Sequence, residues 1–235
     1  MRSRVLREAP VPETGPGASL VLLGLVRAAV FDMDGLLIDT EPLWREVESD
    51  LLERHGVRFT ADDAEATHGR SIEDTVAVYA ARLDGATETT IREELTAAMR
   101  LHYAAGPPLR PGARDLVEAL GRRMPLAVAS NTDGELVCLA LEGVGLLGAF
   151  AGIASGADLG RAKPHPDVYL AACQRLGVPP RLAVAIEDSP AGVKAAKAAG
   201  MLCVGVPDRD GVDLYAAGAD LVVGSLADLI GLTLG

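Results

Sequence analysis

The sequence predicts an α/β protein: a doubly wound parallel sheet, interrupted after its first strand by an all-helical insert. Three observations carry that prediction. From Gly112 onward, short apolar stretches (PLAVAS, AFAGIAS, RLAVAIE, LCVGV) alternate with amphipathic ones, the pattern of parallel βαβ units. Near the N-terminus an apolar run, VLLGLVRAAV, leads into FDMDG and reads as one more strand of that sheet. Between Pro42 and Ala105 only helical periodicity is found.

In chain order, MRSRVLREAPVPETGPGAS is Arg-rich, then Pro/Gly-rich, and is expected to be a disordered tail over residues 1–19 or the product of an upstream start codon. The apolar run after it is too short, and too broken by Arg27, for a signal or membrane segment. EPLWREVESDLLERHGV carries apolar residues at Leu43, Val47, Leu51 and Leu52 and closes at Gly56, as a helix does. SIEDTVAVYAARL opens on Ser71 as N-cap with Asp74 three residues on. TETTIREELTAAMRLHYAAG is a third helix, and GPPLRPG a linker. Helices are then expected at ARDLVEALGRR, ELVCLALEGVG, DVYLAACQRLG and AGVKAAKAAG, and a last short strand at ADLVV. The predicted division is a Rossmann-like core over 20–41 and 109–235, with a helical cap over 42–108.

The bulk numbers fit one large domain or two small ones. At 235 residues and 49% hydrophobic, the chain can build a full core. A net charge of -11 argues against nucleic acid or an anionic membrane as partner. An anionic substrate therefore needs a local positive site. Lysine occurs only at Lys163, Lys194 and Lys197; the last two, one helical turn apart, read as solvated surface residues. Cys138, Cys173 and Cys203 are odd in number and lack metal spacing, which reads as reduced core residues of a cytoplasmic protein. His55, His68, His102 and His165 form no ligand pattern. A monomer is the default expectation.

In an open α/β sheet, ligands bind beyond the carboxyl ends of the strands. Here those ends read Asp32-Met33-Asp34-Gly35, Ser130-Asn131-Thr132 and Glu187-Asp188-Ser189, with Lys163 in GRAKPHPD before a helix. Carboxylates from separate strand ends form a hard-oxygen cage for Mg²⁺. A hydroxyl with helix-entry amides cradles an anion, and a lysine ammonium suits a phosphate oxygen. The set describes phosphoryl transfer. A carboxylate can itself attack phosphorus, and a second one two residues on can protonate the leaving oxygen and later activate water.

Four motifs in order, FDMDG, VASNT, AKPHPDVY and IEDSPAGVKAAKAAG, make the chain from about residue 27 to 235 similar to the haloacid dehalogenase superfamily. It resembles most the branch of sugar-phosphate phosphatases and β-phosphoglucomutases with a helical cap after the first strand. The resemblance implies that Asp32 is the nucleophile and a Mg²⁺ ligand. Asp34 would be the general acid/base and give a backbone carbonyl to the metal. Ser130, the Asn131 amide and Lys163 would hold phosphate; Asp188 would ligate Mg²⁺, and Glu187 would support the ion directly or through water.

Dehalogenases of the superfamily lack the second Asp, so Asp34 favours phosphoryl transfer. Mutases of the family carry a cap-helix His where this chain has Trp44, and an indole cannot relay a proton. Glu41-Pro42-Leu43-Trp44 resembles the entry of the sugar and polyol phosphatases. ATHGRSIED matches the substrate-specificity loop in position, with Gly69 as its turn and Arg70 as either a substrate contact or a surface residue. Asp39 is expected to cap local backbone where the chain leaves for the cap. The expected activity is hydrolysis of a small phosphate monoester, a sugar or polyol phosphate. A sugar phosphomutase is the first alternative and a non-catalytic phosphate-binding module the second.

Overall fold

The computed structural model describes residues 25–68 and 70–234. The predicted tail, the first residues of the apolar run, Gly69 and Gly235 lie outside the described residues. Six parallel strands form the sheet: β1 (Ala28–Phe31), β2 (Leu126–Ser130), β3 (Gly152–Ser155), β4 (Ala183–Glu187), β5 (Leu202–Gly205) and β6 (Leu221–Val222). Their spatial order is β3-β2-β1-β4-β5-β6. The chain builds outward from β1 on one side, then crosses to the other, so the switch point lies at β1 between β2 and β4. That is where a doubly wound sheet opens its ligand crevice.

The first strand starts later than the apolar run suggests. Leu25 sits in a turn and is 64% exposed, and pairing begins only after Arg27. Both faces of the sheet are covered, so its central strands are apolar until β2 and β4 end on Ser130 and Glu187. Successive residues still point to opposite faces. Ala29 and Phe31 join one core with Val128 and Ile186, and Ala28 and Val30 join the other with Ala127 and Ala185.

The insert holds α1 (Glu41–Arg54), α2 (Ala61–Thr67), α3 (Ile72–Ala80) and α4 (Glu88–Ala104). In α4 the buried residues are Ile91, Leu95, Met99 and Tyr103, each four apart and so on one face. They pack with Val47, Leu51 and Leu52 of α1 and with Val76 and Tyr79 of α3. The core helices are α5 (Ala113–Gly121), α6 (Gly134–Gly143), the short α7 (Gly156–Leu159), α8 (Asp167–Leu176), α9 (Pro190–Ala198) and α10 (Leu226–Leu234). No helix among the described residues is long and apolar enough to cross a membrane.

Helices α2 and α10 were not expected. The first announces itself through Thr60 and Asp63, whose side chains and backbone amides cap one another. Asp39 pairs with Arg110 at 3.8 Å, linking the two chain crossings between core and insert where a backbone cap was expected. Nor is Lys197 a free surface residue: its ammonium donates to Asp220 Oδ2 at 2.6 Å and to the Met201 carbonyl at 3.1 Å.

Candidate active site

The residues after β1, β2 and β4 meet above the switch point. Lys163, on the loop before α8, reaches into the same place from the side. Its Nζ lies 2.5 Å from Asp32 Oδ1 and 2.6 Å from Glu187 Oε1, all three side chains being buried. Burial works against the ammonium, but Asp32 and Glu187 outweigh it and hold its pKa above the ordinary lysine value. Burial pushes Asp32 up to about 7, with Lys163 pulling it down and Glu187 and Asp34 adding to the rise. Burial, then Asp32 and Glu187, pushes Asp188 well above the ordinary carboxylate range. Asp32, Glu187 and Asp188 each offer an oxygen within 4.8 Å of the others. Three buried carboxylates against one ammonium leave an excess of negative charge that a divalent cation would balance.

Glycine makes room for this cluster at two positions. Gly35 has φ +83°, and a Cβ there would run into Asp188 Oδ2. A Cβ on Gly192 would strike the Glu187 carboxylate, so the first turn of α9 can lie over that carboxylate only without a side chain. Glu187 is the most heavily bonded of the three acids. Its Oε1 accepts from Lys163 and, at 2.5 Å, from Tyr169 Oη; its Oε2 accepts from Asp188 N, Ser189 N and Ser189 Oγ. Among the described residues no hydrogen bond or ion pair reaches the Asp188 carboxylate.

Asp34 faces hydroxyls. Its Oδ2 accepts from Ser130 Oγ at 2.9 Å and Thr132 Oγ1 at 2.8 Å, and its Oδ1 accepts from Tyr103 Oη at 3.0 Å. Ser130 also accepts from the Thr132 amide. Asn131 Oδ1 accepts from the Lys163 backbone amide at 2.8 Å, which ties the β2 loop to the lysine loop. The helix-entry amides expected to cradle an anion are taken at α6, because Asp133 caps Glu135 N and Leu136 N.

Asp32, Asp34, Ser130, Asn131, Lys163 and Asp188 line a cavity of about 680 Å³ between core and insert. From the insert side Glu41, Trp44, Glu48 and Arg70 line it; from the core Lys194 does too, exposed but on the cavity wall. Glu41 opens α1 and accepts from His68 Nδ1 at 2.7 Å. His68 Nε2 lies 3.0 Å from Asp208 Oδ2 on the core, so this histidine joins the two parts of the molecule. Thus Asp32, Asp34, Ser130, Asn131, Lys163, Glu187 and Asp188 converge, as the strand-end reading expects; Glu41, Trp44 and Arg70 ring the cavity, and Gly69 lies outside the described residues. Sequence reading gave no role to Tyr103, Thr132, Tyr169 or His68.

A haloacid dehalogenase-like hydrolase family model matches residues 26–200. Hexitol phosphatase B of Escherichia coli strain K12 is 36% identical over 210 residues, 87% of this chain and 94% of that protein. Validoxylamine A 7'-phosphate phosphatase of Streptomyces hygroscopicus subsp. limoneus is 31% identical, covering 87% and 96%. Among solved structures, a CbbY variant from Rhodobacter sphaeroides in complex with xylulose-(1,5)bisphosphate superposes with a TM-score of 0.78 at 30% identity, over 87% of this chain and 96% of that one. β-Phosphoglucomutase from Clostridium difficile shares the fold, with a TM-score of 0.73 at 23% identity over 87% and 93%. With an acid-and-lysine cluster at the switch point, a helical insert after β1 and these matches, the chain belongs to the haloacid dehalogenase-like hydrolases, in the helical-cap branch of sugar phosphatases and β-phosphoglucomutase-like proteins.

Proposed function

We propose that the chain is a Mg²⁺-dependent phosphatase that hydrolyses a sugar or polyol phosphate through a phosphoryl group carried on Asp32. The observation that carries this reading is Lys163 Nζ held between Asp32 and Glu187 beside an Asp188 carboxylate that no hydrogen bond or ion pair reaches among the described residues. Of the relatives' names, hexitol phosphatase B supports the same class of substrate and validoxylamine A 7'-phosphate phosphatase the same reaction.

The donor set fits Mg²⁺: hard oxygens, excess negative charge, and one carboxylate without a partner among the described residues. Asp32 and Asp188 would hold the ion, with the Asp34 carbonyl. Glu187 stands behind them, since its oxygens already serve Lys163, Tyr169 and the start of α9. When bound, the cation would offset charge on the phosphoryl oxygens and lower the repulsion between phosphate and Asp32. Asp32 then attacks phosphorus in line, and the ester oxygen leaves with a proton from Asp34. Water, losing its proton to Asp34, next attacks phosphorus and frees both phosphate and Asp32. Lys163, Ser130 and the Asn131 amide hold phosphate oxygens meanwhile. Trp44 stands where a mutase would need a proton relay, which favours release of phosphate to water over return to a second hydroxyl.

The test is phosphate release from a panel of sugar and polyol phosphates, with and without excess EDTA. Activity should disappear with EDTA and return with Mg²⁺. Full activity in EDTA overturns the metal-dependent reading, and no release from any ester overturns the phosphatase reading.

A further inference from the structure

Glu48 on α1 has no part in the chemistry above, yet it is a charged side chain only 3% exposed on the wall of the catalytic cavity. Burying a carboxylate is costly unless its oxygens find donors. Glu48 Oε2 has two: Tyr79 Oη of α3 at 2.7 Å and Thr67 Oγ1 at the end of α2 at 2.8 Å. Three helices of the cap therefore fix one oxygen and, with it, the plane of the carboxyl group. Among the described residues no donor and no ion pair reaches Oε1. Burial pushes the carboxyl pKa up, against the two hydroxyl hydrogen bonds. A group kept only for packing would be replaced at less cost by an apolar residue of the same size. A group anchored on one oxygen, with the other unmatched beside a cavity, is instead built to meet a donor from outside.

The wall around it narrows what that donor is. Thr67 and Thr75, both buried, line the same cavity, and Trp44 adds an apolar indole face. Hydroxyls, a carboxylate and a flat ring suit a chain of alternating C–H and O–H groups. Arg45, Arg70, Arg92 and Arg100 line the cavity too, so it is contact with Glu48 itself that disfavours a second carboxylate. We infer that Glu48 is a specificity-determining residue whose Oε1 accepts a hydrogen bond from a hydroxyl on the organic part of the substrate. The substrate class is thereby a phosphate ester of a polyhydroxylated carbon chain, in preference to a phosphorylated hydroxy acid. This inference rests on the phosphatase reading and adds its selectivity.

The experiment measures kcat and KM of the full chain with Mg²⁺ on sorbitol 6-phosphate, glucose 6-phosphate, phosphoglycolate and p-nitrophenyl phosphate. Wild type should favour the two polyhydroxylated esters over phosphoglycolate. Glu48→Met, which keeps the bulk and removes both oxygens, should cut kcat/KM for the preferred ester roughly 10–100-fold, chiefly through KM, as expected for a lost hydrogen bond to a charged group. Its loss on p-nitrophenyl phosphate should be several-fold smaller. Glu48→Gln retains an acceptor oxygen and should fall between Glu48→Met and wild type; if Glu48→Met does not fold, Glu48→Gln carries the same comparison. Equal losses on all four esters, or a loss confined to kcat, would overturn the inference while leaving the phosphatase reading intact. Hydrolysis of none of the esters by wild type would overturn both, a result recognisable because it needs no variant.

Discussion

Asp32 and Asp34 stand two residues apart but meet opposite surroundings. Asp32 faces an ammonium and two further acids, and Asp34 faces three hydroxyls. Substitution should separate their roles. Asp32→Asn is neither a nucleophile nor a good metal ligand, so turnover should fall on the order of 10⁴-fold or more. In the proposed mechanism Asp34→Asn removes the acid but leaves the attacking group. Sugar-phosphate hydrolysis should then drop about 10²–10⁴-fold. The loss should be smaller with p-nitrophenyl phosphate, whose leaving group needs little protonation. Rapid-quench detection of phosphoenzyme distinguishes the two, and near wild-type turnover by Asp32→Asn would mean that water attacks directly. Both aspartates and Lys163 were legible in the sequence because short motifs at strand ends must converge once the sheet is parallel. Tyr103 and His68 were not. Their partners lie 69 and 140 residues away, and no local pattern marks a tyrosine or histidine whose purpose is set by how the cap lies on the core.

At the scale of elements, periodicity predicted most helices and strands, since each buries a face or both faces. It overlooked the short α2, where Thr60 and Asp63 supplied a capping signal without a long apolar stripe. The first helix turn after β4 carries a sharper constraint. Ser189 caps α9 through Gly192 N, and Gly192 lies against the Glu187 carboxylate. Gly192→Ala must push that carboxylate or the helix aside. Overpacking of this kind costs about 1–3 kcal/mol, which thermal unfolding will show. Activity should fall as well, because Glu187 holds Lys163. A Gly192→Ala protein as stable as wild type would show that the α9 turn can shift freely and that the close approach has no structural consequence.

At the scale of the whole molecule, the cap meets the core through Tyr103 on Asp34 and through charged pairs of unequal worth. Arg209–Glu65 and Arg100–Glu135 are exposed, so screening leaves them little weight. His68 is only 14% exposed and Asp208 16%, and the imidazole also holds Glu41 at the start of α1. Hydrogen bonds donated to Asp208 and then to Glu41 raise its pKa to about 9, against burial and the nearby Arg209. The same contact lowers Asp208 despite its burial. Arg45 pairs with Glu41, and the charges of Arg209 and Arg110 act on the Asp208 carboxylate, so neither carboxylate faces the histidine alone. A histidine whose pKa is raised on folding contributes stability that is fully present below its unfolded value, about 6.5. That contribution declines as pH rises and is lost through about 9. Melting temperatures of wild type and His68→Gln should therefore differ most near pH 6 and converge toward pH 10, while other titrating groups move both curves together. Because the bridge spans cap and core, amide protection factors, which are corrected for the intrinsic rise of exchange with pH, should fall in α2 and in the loop around Asp208 over the same interval in wild type and change little in His68→Gln. A gap in melting temperature that stays constant or widens with pH would mean that His68 holds the cap as a neutral ring, by packing alone.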